Sequence, residues 1–201
     1  MTRSPGQPVR EIRIGETDAV LGDDYLIKDL RSGDGAALAA AYRRNREHLA
    51  PWDPGRSESF YTDGGQEDEV QRNLADTEDG RSHMFLLWYD DQVVGRIMLS
   101  NIVRGVLQSG TIGYWVDHEH LRRGLATTGV GHAVVRATKL GLHRLEAGTM
   151  LDNVASQEVL RRCGFQQYGV AERFLFIRGE WRDHVLFQRI LHDDPPGNPV
   201  P

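Results

Sequence analysis

The chain has 201 residues, of which 39% are hydrophobic and 26% charged, and a formal net charge of −5. That length and balance fit one soluble domain with a real core, and the acidic charge argues against a nucleic-acid surface while favouring, by long-range steering, a cationic partner such as an amine. A single cysteine excludes an internal disulfide and points to the reducing cytoplasm, and there is neither an apolar run able to span a bilayer nor the apolar stretch of a signal peptide.

Residues 1–8 carry Ser, Pro and Gly and are expected to be loose, ahead of a single domain over 9–192. Val9, Ile12 and Ile14 hint at a strand, closed by a turn over 15–18. Residues 25–30 read as the next strand. Ser32, Gly33 and Asp34 offer a cap for an Ala-rich helix over 36–49, which Pro51 and Pro54 must end. After Gly64 and Gly65, residues 66–76 read as a second helix with Val70 and Leu74 on one face. From Ser82 the period changes. Segments 84–89, 93–103 and 108–116 are three strands joined by short turns, an antiparallel meander. Leu125, Ala133, Val134, Ala137 and Leu140 then recur at helical spacing. Residues 143–150 form a further strand and 154–162 a short helix ended by Gly164 and Phe165. Segments 166–177 and 183–191 form a closing hairpin around Arg178, Gly179 and Glu180. Residues 193–201 hold four prolines and are expected to be a loose tail. This order predicts an α/β (α+β) single sheet, splayed near the strand that ends at Val116, where a ligand could lodge.

The stretch from Trp115 to Thr127 organises the rest. A strand ending at Val116 passes through a polar loop, Arg122-Arg123-Gly124, into a helix. Such a turn presents free backbone N–H groups and the positive end of a helix dipole, a ready phosphate or pyrophosphate site. Gly124 lets a phosphate approach the backbone closely. The loop has neither the Lys-Ser/Thr ending of a P-loop nor a G-x-G-x-x-G. Arg122-Arg123-Gly124-Leu125-Ala126 instead resembles the acyl-CoA loop of the GCN5-related N-acetyltransferases, the GNAT family. Its Gly and Ala are Gly124 and Ala126. Its first position is Leu121 rather than Arg or Gln, with Arg122 or Arg123 supplying the charge.

The second half carries a finer resemblance. Asn153-Val154-Ala155-Ser156, Val159, Arg161 to Phe165, Gly169 and Gly179 to His184 resemble, in order and spacing, the RimJ/RimL-type ribosomal-protein N-terminal acetyltransferases. Ile112-Gly113-Tyr114-Trp115 and His48 to Trp52 are similar to that branch too, so the likeness spans about residues 25–191. It implies a GNAT-like fold, a mixed, mostly antiparallel, splayed sheet flanked by helices. It also implies acetyl-CoA as donor, with no metal. The pyrophosphate would lie on Arg122, Arg123, Gly124, Leu125, Ala126 and Thr127, and the Val116 N–H would face the thioester carbonyl. Asn153 would hold the pantetheine arm, and Ser156 would protonate the departing thiolate. A possible homodimer is implied as well.

Each residue has a plainer reading. Asn153 and Ser156 could cap a helix. A different GNAT branch uses a Tyr at the position of Leu160, which leaves Ser156 as the acid by elimination. Cys163 reads as a small buried hydrophobe, since direct attack by the amine needs no enzyme nucleophile. His118 and His120 read as loop histidines or as bases near pH 7. The base is unassigned: Thr111 and Leu175 stand where related enzymes carry Glu, and Tyr168 stands where Glu is usual after Gly-Phe. Glu172 lies nearby, and water relayed from backbone carbonyls or Glu119 is an alternative. An α-amine, with a pKa of about 7.7–8.0, needs little help. Three functions follow: transfer to a protein or peptide N-terminal α-amine; transfer to a small amine such as an antibiotic, polyamine or amino-acid derivative; or a catalytically silent acyl-CoA-binding module.

Overall fold

The structure, a computed structural model, describes the backbone of residues 18–20 and the chain from residue 24 to residue 196. The expected loose start over 1–8, the strand over 9–14 and residues 197–201 of the tail lie outside the described residues. Eight strands form one sheet: β1 (Asp18–Val20), β2 (Tyr25–Asp29), β3 (His83–Tyr89), β4 (Gln92–Val103), β5 (Ser109–Val116), β6 (Arg144–Met150), β7 (Gln166–Ile177) and β8 (Glu180–Ile190), in the order β1-β2-β3-β4-β5-β6-β8-β7. Every pairing is antiparallel except β5 with β6. This is the mixed, mostly antiparallel sheet that the family resemblance implied.

Strand alternation gives the sheet two apolar faces. Ile97 and Leu99 of β4, Ile112 and Val116 of β5, and Val185 and Phe187 of β8 share one face. Helices α4 (Leu125–Lys139) and α5 (Val154–Arg162) cover it with Leu125, Val130, Ala133, Ala137 and Leu160. Met98 of β4 and Trp115 of β5 share the other face. Helices α1 (Gly35–Arg44) and α3 (Asp63–Glu78) cover that one with Leu38, Tyr42 and Val70. Fully buried side chains such as Phe85, Leu87 and Ile97 each contribute roughly 2 kcal/mol of burial free energy. Gly129 lets α4 lie close to the sheet: a Cβ there would come within 2.7 Å of Ile97 Cδ1.

Four assignments differ from the sequence reading. The helix expected over 36–49 is two, α1 and α2 (Arg46–Leu49), broken at Asn45. The buried Asn45 side chain bonds to Asp117 and to the Ala41 carbonyl, and its backbone leaves the helical range. Helix α3 starts three residues earlier than expected because Thr62 Oγ1 accepts from the Gly65 N–H at 3.0 Å and caps it. The closing hairpin turns on Arg178 and Gly179 alone, both at positive φ. That is the two-residue turn matching strand twist, so β8 starts at Glu180 rather than Asp183. Asp18, expected in a turn, opens β1.

The splay is where the sequence placed it. Strands β5 and β6 pair only over Ser109–Arg144, Gly110–Leu145 and Thr111–Glu146. Beyond that rung β5 stays with β4 as far as Val116, while β6 stays with β8 as far as Met150. A wedge opens between residues 112–116 and 147–150.

Candidate active site

The edge of β5 that faces the wedge carries backbone groups. The Asp117 N–H donates to the Val94 carbonyl at 2.9 Å, so it points toward β4. Alternation then turns the N–H groups of Val116 and Tyr114 to the opposite edge, past the last rung with β6. The Val116 N–H therefore lies on the wedge, where the resemblance needs it.

The loop leaving β5 is held from below. The Asp117 carboxylate is fully buried and accepts from Arg44 Nε at 2.6 Å, Asn45 Nδ2 at 2.7 Å and the Glu119 N–H at 2.9 Å. Burial pushes its pKa up, but those hydrogen bonds and the Arg44 charge outweigh burial and leave it below the usual carboxylate range. The His118 N–H donates to Asn45 Oδ1 at 2.9 Å, and His120 Nδ1 lies 2.8 Å from the Tyr25 hydroxyl. Burial pushes the His120 pKa down. Both histidines thus serve the loop's attachment to α1 and β2.

Above this anchor the backbone turns twice through the left-handed region, at Arg122 (φ 60°) and Gly124 (φ 80°). Gly124 is the N-cap of α4, and no side chain caps that end. The first-turn N–H groups and the helix dipole are left for a ligand. Arg122 and Arg123 are exposed beside them, and a Cβ on Gly124 would meet nothing within 4 Å. The Leu125 side chain is buried in the core, so this residue offers only its backbone. Ala126 and Thr127 complete the turn. The residues present fit a pyrophosphate.

Across the wedge, Asn153 Oδ1 accepts from the Ser156 N–H at 3.1 Å and caps α5. Capping therefore belongs to Asn153, and Ser156 stands inside the first turn with its hydroxyl free of that duty. Ser156 Oγ lies 2.9 Å from the Tyr114 phenol oxygen, and the Tyr114 hydroxyl donates to the Ser156 carbonyl at 3.0 Å. Burial pushes the Tyr114 pKa far up, so the phenol keeps its proton at neutral pH. The sequence reading passed over Tyr114; its place on the strand face shared by Ile112 and Val116, beneath α5, is the signal that would have found it. Cys163 is buried, its thiol 3.4 Å from the Thr127 carbonyl, and burial pushes its pKa up, away from nucleophilic thiolate.

On the opposite face of the sheet lies a cavity of about 460 Å³ between α1, α3 and strands β4 and β5. Gly113 and Gly148, one on each side of the wedge, line it, so the wedge and the cavity meet where neither strand has a side chain. Thr111 and Leu175, the expected acceptor-side positions, line it as well. Tyr168 is exposed, with its hydroxyl 2.9 Å from Glu146 Oε1, and Glu172 and Glu119 are exposed too. The carboxylate that lines the cavity is Glu69 of α3, which no sequence motif marked.

A splayed sheet with an open helix N-terminus at one end of the gap and an acceptor-sized cavity at the other defines an acyl-CoA-dependent N-acetyltransferase. Residues 25–166 match the family model described as an acetyltransferase (GNAT) domain, and the chain belongs to that family. It is 31% identical over 176 residues to the probable N-acetyltransferase YjcK of Bacillus subtilis, covering 86% of this chain and 97% of that one. It is 30% identical over 178 residues to the [ribosomal protein uS5]-alanine N-acetyltransferase of Escherichia coli, covering 87% and 92%. Among solved structures, the ribosomal-protein-S5-alanine acetyltransferase of Vibrio fischeri superposes with a TM-score of 0.82 at 30% identity, over 85% of this chain and 95% of that one. Mycobacterium smegmatis RimJ, in complex with CoA-disulfide, superposes with a TM-score of 0.78 at 29% identity, over 83% and 81%.

Proposed function

We propose that this enzyme acetylates the N-terminal α-amine of a protein or peptide, a ribosomal protein being the acceptor class its relatives suggest, by direct attack of the amine on acetyl-CoA. The observation that carries the reading is the wedge. It joins a backbone anion site at Gly124 to the acceptor cavity through Gly113 and Gly148.

Acetyl-CoA supplies an activated acyl thioester; the chain's residues do the rest. The N–H groups at Gly124 to Thr127, with Arg122 and Arg123, hold the pyrophosphate. Asn153, its Oδ1 engaged as the cap, has its amide N–H2 left to bond the pantetheine arm. As the amine attacks, the Val116 N–H donates to the oxygen on which negative charge builds. Collapse breaks the C–S bond, and Ser156 Oγ–H protonates the thiolate. Tyr114, whose hydroxyl lies within hydrogen-bond reach of both Ser156 oxygens, relays a proton to Ser156 Oγ as it takes one up from solvent, so the phenol ends protonated. The proton lost by the amine leaves through water in the cavity, whose lining includes the Glu69 carboxylate.

A thiol-release assay with acetyl-CoA tests this against the alternatives. Peptides with free N-termini should release CoA and peptides with blocked N-termini should not. Turnover with polyamines, aminoglycosides or amino-acid derivatives alone would make it a small-amine acetyltransferase, and binding without any turnover would make it an acyl-CoA-binding module.

A further inference from the structure

The cavity on the α1–α3 face carries a charge pattern that its role as an acceptor site does not require. Arg96 of β4 pairs with Trp115 of β5, so its side chain projects onto that face and into the cavity lining. Its guanidinium carbon lies 5.8 Å from the Tyr42 ring centre. Its Nε is shut off from solvent without a hydrogen-bond partner, and no carboxylate pairs with Arg96 among the described residues. The other charged groups nearby are answered. Arg56 lies 3.4 Å from Asp53 and over the Phe60 ring, and Glu69 lies 2.6 Å from Arg72. Arg96 is half-buried, no carboxylate neutralises it among the described residues, and its Nε–H has no acceptor, so it is placed to receive an anion.

We propose that Arg96 selects acceptors carrying a carboxylate within the first two residues of the reacting amine. The proposal rests on the chain's reading as an N-acetyltransferase of amines. Arginine's planar fork suits a carboxylate, which it binds through two parallel N–H···O bonds. The spacing fits as well. Arg96 pairs with Trp115, the residue before Val116, whose N–H faces the reacting carbonyl in the proposed mechanism. One strand spacing and one hydrogen bond, roughly 8 Å, then separate the Arg96 backbone from that carbonyl, a distance an extended dipeptide covers. The carboxylate could belong to an acidic residue at the start of a peptide or to a free dicarboxylic amino acid.

The test compares kcat/KM for peptides beginning Ala-Asp and Ala-Asn, and for free aspartate and asparagine, with wild type, Arg96→Met and Arg96→Lys. Wild type should prefer the acid over its amide by about tenfold or more. Arg96→Met should lose that preference while still turning over the amide peptide, and Arg96→Lys should keep part of it. A preference confined to the peptides or to the free amino acids supports the proposal and identifies the source. Calorimetric binding of the same ligands in the presence of CoA needs no turnover. A failure of the acetyltransferase reading would leave selective binding intact, whereas equal binding of acid and amide to wild type would overturn the proposal. So would an acid preference that survives in folded Arg96→Met. Should Arg96→Met not fold, the wild-type acid/amide ratio and Arg96→Lys decide.

Discussion

In the proposed mechanism, Ser156 and Tyr114 deliver the proton to the leaving thiolate. If Ser156 acts in the transition state, Ser156→Ala lowers kcat with little change in KM for acetyl-CoA. The expected loss is on the order of 10²-fold. Tyr114→Phe, which keeps the ring but removes the relay, should lower kcat less and in the same direction. Asn153→Ala should instead cost about 1 kcal/mol of stability, since it removes the α5 cap. Melting temperature and kcat measured on each preparation separate these effects, and full turnover in folded Ser156→Ala would leave solvent as the proton donor. Gly124, Asn153 and Ser156 were legible in the sequence because their roles are local: a positive-φ turn, a helix cap and a helix first turn leave signatures at short spacing. Tyr114, Glu69 and Arg96 were not, because each matters through a neighbour brought in by tertiary packing.

At the scale of elements, the loop proposed to present the phosphate site depends on α1. Asp117 ties that loop to Arg44 and Asn45 at the helix end. The break at Asn45 was hidden in the sequence, where an Ala-rich run argues for continuous helix and only the distant Asp117 ends it. Asp117→Asn should destabilise the fold by about 2 kcal/mol at neutral pH, the scale of hydrogen bonds to a buried charge. The sign with pH follows from its lowered folded pKa. The contribution is present above the unfolded value of about 3.9 and is lost as pH falls through the lower folded value. Thermal or urea unfolding of both proteins from pH 7 to pH 3 should show the gap narrowing only below about pH 4; a gap that closes at higher pH would exclude Asp117 as its source. The strands were legible almost throughout, since alternation and hairpin turns are themselves local. Their order was not: placing β8 between β6 and β7 is a choice of pairing that no residue pattern within a strand encodes.

The molecule as a whole combines two faces of one sheet, one covered by α4 and α5 and the other by α1 and α3, and the proposed function gives the donor the first and the acceptor the second. Among the described residues no helix is long and apolar enough to cross a membrane. Phe176 and Trp181 pack against each other on the closing hairpin and are 54% and 61% exposed. This apolar stretch, larger than a lone surface side chain, is expected to pair with a second copy, and light scattering at two concentrations should return the mass of a dimer rather than a 22.7 kDa monomer. The central claim is that acetyl-CoA binds at the wedge with its phosphates on the Gly124 turn, and thermal unfolding with and without acetyl-CoA tests it most directly. At a concentration about a hundred times Kd, the ligand should add about 2.7 kcal/mol to wild-type stability and raise Tm by several degrees. Gly124→Ala and Gly124→Glu share the strain of a side chain at φ 80°, so their difference isolates what stands at the phosphates. Gly124→Ala should keep much of the shift, and Gly124→Glu, with a negative charge there, should lose it. A wild-type shift in folded Gly124→Glu would contradict the account.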